Sequence, residues 1–252
     1  NMLSVLEKNG IDVYKVNYPR NQKSFLGRVF SGFRNIFPAV SYLIGREPFF
    51  IAKYNKKRMR DLISQLLIKN NFDLIQVEYN VMHHYSDLFN KIPSVLVFHD
   101  ISTKLYERGK NLGIKTDRRL HDIAKKIEVG IAEKFDSIVT LTEEDKLFLI
   151  NLGYEKEISV IPPQINIVKN VNISKKPNTI CFIGSYNREP NSRAVEVLIN
   201  DIYKNIDFPV ELNIAGKNLS KHFQKEIYNT EGINYLGFVE DIDEFIKSQM
   251  LM

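Results

Sequence analysis

The chain has 252 residues, which is long enough for one large or two modest domains that each bury a core. A hydrophobic share of 44% and a charged share of 26% are ordinary for a soluble globular protein and argue against a disordered or fibrous chain. The sequence predicts no membrane span and no signal peptide. Its single cysteine, Cys181, excludes a disulfide framework and favours the cytoplasm.

The net charge of +5 is distributed unevenly. Residues 11–70 contain twelve Lys or Arg against three Asp or Glu, and many aromatic residues lie between them. Basic residues interleaved with aromatic ones suit an anionic membrane surface, an anionic lipid-linked acceptor or nucleic acid. A solvated helix face beside an ordinary hydrophobic loop explains the same composition.

The predicted elements alternate between helix and strand. Asn1–Lys8 is typical of a helix end that Gly10 stops, and Ile11–Val16 of a strand. Further strands are predicted at Leu74–Glu78, Val95–Phe98, Ser137–Leu141, Ser159–Ile161, Thr179–Ile183, Glu211–Ala215 and Ile233–Tyr235. Further helices are predicted at Ala52–Asn70, Thr116–Lys134, Glu143–Leu152, Ser192–Ile202, Ser220–Tyr228 and Asp241–Gln249.

This alternation predicts parallel sheets covered by helices. The polar run Val168–Asn178 has little to bury and is the predicted linker. We therefore predict an α/β fold with two Rossmann-like domains, residues 1–168 and residues 169–252. The first domain would lack its first strand and the second would be incomplete, so we expect the sequence to be truncated at both ends.

One strand–turn–helix corner carries the strongest functional signal. The apolar run Thr179–Ile183 ends at Gly184-Ser185, and Pro190-Asn191 open a helical stretch. Free N–H groups and the helix dipole would then point at one spot, which is how proteins bind phosphate.

Two later strands end in the same way. Leu212–Gly216 and Ile233–Val239 each contain a short strand followed by a glycine, Gly216 or Gly237. Three glycines at the carboxyl ends of parallel strands predict a nucleotide cleft. Three β–α turns with nothing bound are the alternative.

These motifs, in the order FIGSYNREPN, NIAGK and INYLGFVEDIDEF, resemble the donor half of the retaining glycosyltransferases of family 4, the group 1 transferases. The upstream strings VLVFHDIS, FDSIVTLTEEDK and ISVIPPQIN resemble the acceptor half of that family and the run into its linker. The resemblance covers the chain from about Phe72 onward and implies the two-domain GT-B architecture.

The resemblance also implies which residues meet the donor phosphates. Many family members have an Arg after the first glycine and a Lys a few residues later. This chain has Ser185 and Asn191 near those positions, as in a branch with a Gly-Ser…Pro-Asn corner. Arg188 is then the first candidate cation, Arg193 the second and Lys217 the third, with solvated side chains as the alternative.

The other two corners receive roles by the same resemblance. Beside Gly216, Lys217 would approach the phosphates or the ribose, and at the first corner Gly184 would let the backbone approach a diphosphate closely. The backbone beside Val239, in the run Gly237-Phe238-Val239, would face the nucleobase.

His99-Asp100 is the candidate catalytic pair. It follows the predicted strand Val95–Phe98, and α/β proteins bind ligands at such strand ends. The resemblance implies that His99 faces the donor sugar, which favours it over His83 and His84. The alternative is that His99 and Asp100 only cap the turn and the helix that follow.

The implied reaction moves a sugar from a nucleotide-diphosphate sugar to a sugar or lipid-linked acceptor, with retention. Its setting would be bacterial surface polysaccharide or glycolipid synthesis, in the cytoplasm or on the inner face of the membrane. No metal or other cofactor is expected, since the sequence has no Cys/His cluster with metal-site spacing and the resemblance implies that Arg, Lys and helix N-termini meet the phosphate charge. The family's Glu-x7-Glu element would follow Met252, so we expect this chain alone to be inactive.

Three alternatives stay open on the sequence. A non-catalytic binding or scaffold module could keep the same fold, and a sugar-nucleotide epimerase could share it. A nucleic-acid binder would use the basic residues 11–70, but it would leave the three glycine corners unexplained. We therefore predict no nucleic-acid partner.

Overall fold

The computed structural model describes residues 2–16, 35–89, 91–111, 113–164 and 175–250. The chain divides into two compact units, Asn1–Gln164 and Ile165–Met252. The predicted domain boundary at Val168 lies outside the described residues and stays a prediction. In the described part of the chain, no helix is both long and apolar enough to cross a lipid bilayer.

The first unit contains a parallel sheet of four strands in the order β1-β2-β3-β4. These strands are β1 (Ile75–Glu78), β2 (Ser94–Phe98), β3 (Ser137–Thr140) and β4 (Ile158–Val160). The described helices are α1 (Met2–Lys8), α2 (residues 35–43), α3 (Phe49–Ala52), α4 (Lys57–Lys69), a 3-10 helix (Asn80–Leu88), α5 (Ser102–Asn111), α6 (Lys115–Ala132) and α7 (Glu143–Asn151). Strand order follows chain order, so consecutive strands lie side by side. Because all four strands are parallel, their carboxyl ends lie at the same edge of the sheet.

The core of this unit forms around β2. Leu96 and Phe98 of β2 are fully buried, and they belong to one apolar cluster with Phe135, Ile138 and Leu149. A short apolar run without alternation is what a strand covered on both faces requires. The predicted strands at β1 to β4 are therefore confirmed, with bounds that differ by one residue.

Two predictions in this unit are wrong. Ile11–Val16 forms no ladder with any described strand, although α1 ends before Gly10 as predicted and Gly10 takes a φ of +75°. Alternating apolar residues make a strand only where a neighbour pairs with their backbone groups. The predicted helix Ala52–Asn70 is interrupted, since α3 ends at Ala52 and α4 begins at Lys57.

The second unit contains a parallel sheet of three strands in the order β5-β6-β7. The strands are β5 (Thr179–Ile183), β6 (Glu211–Ala215) and β7 (Ile233–Gly237), and the α-helices are α8 (Glu189–Val197), α9 (Lys221–Tyr228) and α10 (Ile242–Ser248). A π-helical segment (Leu198–Ile202) and a 3-10 helix (Tyr203–Asn205) follow α8. Leu212 and Ile214 of β6 are fully buried against Val195 and Ile199. Cys181 lies in this core, as predicted.

Polar N-caps fix where several helices begin. The side chains of Thr142, Ser220 and Asp241 accept hydrogen bonds from the N–H three residues later, at the starts of α7, α9 and α10. In these β–α units the helix starts just after a strand ends. The caps therefore hold the loops at the carboxyl edge of each sheet, where the candidate site residues lie.

Candidate functional site

The three glycine corners of the second unit are in direct contact. The Gly216 N–H donates to the Gly237 carbonyl at 2.6 Å, and the Gly184 N–H donates to the Ala215 carbonyl at 3.1 Å. A Cβ on Gly216 would overlap the Gly184 carbonyl oxygen, and Gly216 has a φ of +134°, so no side chain fits there. The structure thus brings together the three glycines that the sequence places at separate strand ends.

The turn after β5 is held by its own polar side chains. The Ser185 hydroxyl donates to Asn187 Oδ1 at 2.7 Å, and Asn191 Nδ2 donates to the Ser185 carbonyl at 3.1 Å. Helix α8 begins at Glu189, three residues before the predicted start, because Pro190 is favourable in the first turn of a helix. Ser185 and Asn191 therefore shape the turn.

Fewer backbone donors are free at this corner than the sequence predicts. The N–H groups of Asn191 and Ser192 both donate to the Arg188 carbonyl, and Pro190 has no N–H. In the first turn of α8, only the Glu189 N–H has no partner among the described residues. Side-chain cations consequently have to supply more of any phosphate binding than the sequence pattern suggests.

Two tyrosines that the sequence analysis missed hold the corner together. Tyr186 is buried, its hydroxyl donates to the Ala215 carbonyl at 2.7 Å, and its N–H donates to the Lys217 carbonyl at 2.9 Å. The Tyr235 hydroxyl donates to the Gly216 carbonyl at 2.9 Å. Burial raises the pKa of Tyr186, so its hydroxyl stays a donor. The sequence feature that could have identified Tyr186 is its position directly after Gly184-Ser185.

The candidate cations fall into two groups. Lys217 Nζ lies 3.7 Å from the ring centroid of Phe238, which is 58% exposed. Arg188 and Arg193 are exposed on the first turns of α8, and no described hydrogen bond or ion pair joins either side chain to the corner. Val239 is half-buried beside Phe238. The structure therefore brings Lys217 and Phe238 together and leaves both arginines free in the described part of the chain.

In the first unit, His99 is held by a carboxylate from the neighbouring strand. His99 Nε2 lies 2.6 Å from Glu78 Oε2, and Gln76 donates to the other oxygen of the same carboxylate. Burial alone would raise the pKa of Glu78. The hydrogen bonds from His99 and Gln76 outweigh burial and hold that pKa below its usual range. Glu78 therefore stays ionised and orients the imidazole.

An aromatic ring covers one face of the same histidine. The Tyr79 ring stacks on His99 with centroids 3.9 Å apart and planes 18° apart. Tyr79 has a φ of +70°, which is rare for a residue with a side chain. Asp100 is exposed and takes no part in this group. The sequence analysis missed Glu78 and Tyr79, although Glu78 is the last residue of the predicted β1 and Tyr79 follows it at the same sheet edge.

A buried glutamate supports the loop after His99. Glu128 of α6 accepts hydrogen bonds from the N–H groups of Ser102 and Thr103 at 3.0 and 2.7 Å, and from Asn80 Nδ2 at 2.9 Å. It thereby caps α5, the role that the alternative interpretation assigned to Asp100. Burial raises the pKa of Glu128, although these hydrogen bonds oppose the shift. Since Asn80 follows Tyr79, one carboxylate ties together the loops after β1 and β2.

Comparisons with known proteins agree with this architecture. No protein-family model matches the chain, and no curated protein matches it by sequence. Among solved structures the chain is similar to the crystal structure of TarM, with a TM-score of 0.57 and 17% identity over 75% of this chain. The chain spans 38% of the length of TarM. The likeness shows the fold: α/β with parallel sheets and helices, as in the GT-B fold of the TarM glycosyltransferase.

Proposed function

We propose that the protein is a glycosyltransferase that uses a nucleotide-diphosphate sugar, and that the nucleotide binds at the glycine corner of the second unit. The observation that carries the proposal is the contact between Gly184, Gly216 and Gly237 within a GT-B fold. A diphosphate that is bound without a metal needs close approach to backbone N–H groups and nearby cations. The N–H groups of Gly184 and Gly216 already donate to backbone carbonyls, so the Glu189 N–H and the side-chain cations would bind the diphosphate at this corner.

The charge of the diphosphate would be met by Lys217, Arg188 and Arg193. All three are exposed, and Lys217 is already positioned by its contact with Phe238. The exposed face of Phe238 offers a stacking surface beside the proposed nucleobase position at Val239. We expect no metal to be needed for donor binding.

On the acceptor side, His99 would position the transferred sugar by accepting a hydrogen bond from one of its hydroxyls at Nδ1, because Nε2 donates to Glu78. Its rigid hold by Glu78 and Tyr79 supports this role, because a catalytic group must be fixed before the substrate arrives. Replacing His99 by Ala in the full-length protein should lower turnover at least tenfold with little change in nucleotide affinity. Unchanged turnover would remove His99 from the mechanism.

The finer parts of the proposal follow from the family 4 resemblance. They are hexosyl or related transfer with retention, and a role in bacterial surface polysaccharide or glycolipid synthesis at the inner face of the membrane. Residues 1–252 alone should be inactive. Measurable transfer by this chain would contradict that expectation.

The experiment that tests donor binding is thermal unfolding with UDP, GDP, ADP or CMP, with and without their sugars and without metal. A ligand at a hundred times its Kd stabilises the folded state by about 2.7 kcal/mol. One nucleoside diphosphate should raise the melting temperature, and Gly237→Asn should reduce the effect by placing a side chain at an open position with φ +67°. Absence of any shift would contradict the donor site.

A contact with an anionic membrane surface is the second part of the proposal. Helix α2 and the residue after it expose five large apolar side chains on one helical stripe. The members of this apolar stripe are Ile36, Phe37, Val40, Leu43 and Ile44, each between 47% and 69% exposed. Such a stripe without a partner in the described structure fits the interface of a bilayer.

Basic residues accompany the apolar stripe. Arg46, Lys57 and Arg58 are exposed soon after it in the chain, and Lys53 Nζ lies 4.2 Å from the ring centroid of Phe50. Cations beside an apolar helix face attract anionic lipid headgroups. This pairing supports a lipid-linked acceptor for the proposed reaction.

Vesicle sedimentation tests the contact. The chain should sediment with phosphatidylcholine vesicles containing phosphatidylglycerol, and less with phosphatidylcholine alone. Leu43→Ser with Ile44→Ser should release it. Leu147→Ser with Ile150→Ser on α7 removes two comparably exposed apolar residues and should not. Equal release by both pairs would contradict a specific stripe.

A non-catalytic binding module is the competing function. The observation that favours it is Ser185 in the place of the family's phosphate-binding arginine. Nucleotide-sugar binding without transfer or hydrolysis by the full-length protein would support this alternative over the enzyme.

A further inference from the structure

Three potential metal ligands from two separate segments meet inside the first unit. Glu47 lies between α2 and α3, whereas His83 and His84 belong to the 3-10 helix. One ligand atom from each residue lies within 4.8 Å of the other two. The residue spacing in the sequence does not predict this cluster, because Glu47 and His83 are far apart along the chain.

One atom of the cluster has no hydrogen-bond partner. His83 is 2% exposed, and its Nε2 is buried with no partner of good geometry among the described residues. Glu47 Oε1 lies 3.3 Å from it. A buried polar atom without a well-aligned partner is destabilising, so the arrangement calls for a ligand that would satisfy it.

The distances suit a small transition-metal ion. Tetrahedral zinc with bonds of about 2.0–2.1 Å holds neighbouring ligand atoms roughly 3.3 Å apart. The Glu47 Oε1–His83 Nε2 distance is 3.3 Å, and Glu47 Oε2 lies 3.8 Å from His84 Nε2, so the two carboxylate oxygens face the two histidines. His84 Nε2 donates to the Ile51 carbonyl at 3.1 Å, so this ring has to move its proton to Nδ1 before Nε2 can bind a metal.

The protonation states also suit a metal. Burial lowers the pKa of His83, and burial together with the neighbouring His83 lowers the pKa of His84 to about 4. Burial would raise the pKa of Glu47, but the two neighbouring histidines hold it below its usual range. Two imidazoles and one carboxylate are side-chain ligands that zinc takes in proteins.

We propose that Glu47, His83 and His84 bind one divalent transition-metal ion of the zinc class. Two imidazoles select against Mg²⁺ and Ca²⁺, which prefer oxygen ligands. The Ile51 carbonyl or a water would complete the coordination. The ion would tie the loop between α2 and α3 to the 3-10 helix, and this role is independent of sugar transfer.

Lys134 opposes metal binding in the present arrangement. Its ammonium donates to His83 Nδ1 at 2.9 Å, which places the ring proton on Nε2. Metal binding needs the Nε2 lone pair, so the proton moves to Nδ1, which then requires an acceptor. Lys134 is exposed and can withdraw. Replacing it by Gln supplies an amide oxygen at that place and should tighten metal binding.

The experiment uses the full chain after chelator treatment, titrated with Zn²⁺ alone and with Co²⁺ alone. Bound metal is counted after gel filtration, and Co²⁺ reports tetrahedral coordination through its visible absorption. We expect one ion per chain. Glu47→Gln and His83→Gln should each weaken binding at least tenfold, and Lys134→Gln should strengthen it several-fold.

His121→Gln is the matched control, because His121 is also buried next to a carboxylate, Asp122, at 3.1 Å. It should keep full binding. Sub-stoichiometric metal in the parent chain would overturn the proposal, and so would unchanged binding in Glu47→Gln with native circular dichroism. If His83→Gln does not fold, the metal affinities of Glu47→Gln and Lys134→Gln still test the proposal. None of these measurements uses transfer activity, so failure here leaves the proposed function untouched.

Discussion

The carboxyl edges of the two sheets are built from different parts of the chain. In the first unit the edge is made of side chains, with His99 held between the Glu78 carboxylate and the Tyr79 ring. In the second unit it is made of backbone, with Gly216 packed against Gly184 and Gly237. The first edge presents groups that donate, accept and titrate, whereas the second presents a surface that a ligand can approach closely.

This difference determines which changes each edge tolerates. An edge made of side chains loses its arrangement when atoms or charges are removed, because each group orients another. An edge made of backbone loses it when atoms are added at its closest contact, because the space and the positive φ at Gly216 admit only glycine. The following predictions test that contrast.

The largest effect is expected from Gly216→Ala. The new Cβ would overlap the Gly184 carbonyl oxygen, and a φ of +134° is strained for any side chain. Overpacking and backbone strain each cost up to about 3 kcal/mol, so the free energy of unfolding of the second unit should fall by about 4 kcal/mol. Urea denaturation measures the loss, and nucleotide binding should disappear with it.

Gly130→Ala on α6 is the control for that variant. Nothing lies within 4 Å of the added Cβ and the residue is helical, so alanine should be neutral or stabilise by up to about 1 kcal/mol. Equal losses in the two variants would show that the glycine corner is not sterically special.

The next effect is expected from Glu128→Ala. The change leaves the donors of Ser102, Thr103 and Asn80 unpaired in a buried site. Because hydrogen bonds to a charged group contribute about 1.5–3 kcal/mol, we expect the free energy of unfolding to fall by about 3 kcal/mol. Glu133→Ala, at the exposed end of the same helix, should cost far less. A loss under about 1 kcal/mol in Glu128→Ala would refute the capping role.

A smaller, pH-dependent effect is expected from Glu78→Gln. The folded pKa of Glu78 lies below the unfolded one, so its contribution to stability is present above about pH 4.5 and is lost as pH falls through the folded pKa. Nearly half of the side chain is exposed, and solvent screening therefore limits the contribution to under about 1 kcal/mol.

Unfolding curves at pH 7 and pH 3 measure this effect. Parent and Glu78→Gln should differ at pH 7, and the difference should shrink at pH 3. Glu144→Gln removes an equal charge from a side chain that is 75% exposed and is the control. A gap between parent and Glu78→Gln that widens toward pH 3 would show that the sign is wrong.

The smallest effect on stability is expected from Phe238→Ala. An exposed cation–π contact such as that of Lys217 with Phe238 contributes about 0.5–1 kcal/mol. Nucleotide affinity should nevertheless fall about tenfold if the ring stacks on the base, since stacking contributes about 1–3 kcal/mol per base. Phe208→Ala, equally exposed but located before β6 begins, is the control for calorimetric titration. Equal affinities in both variants would separate Phe238 from the site.

The local sequence pattern was sufficient to predict strands β5 to β7 and the glycines at their ends. The bounds of β5 and β6 match the predictions, because a short apolar run that ends at a turn can be recognised without knowing its neighbours. The same pattern failed at Ile11–Val16, where a strand requires a partner that the described residues do not supply. Helix α8 began early because the first turn favours Pro190.

Contacts between distant parts of the chain decided what lies around those positions. Glu78 reaches His99 and Glu128 reaches Asn80 only because parallel strands and crossover helices bring their loops to one edge. The cluster of Glu47 with His83 and His84 depends on the packing of α3 near the 3-10 helix in the same way. Apolar periodicity reports which side of an element is buried, whereas the partner of a buried polar group is chosen by the tertiary structure.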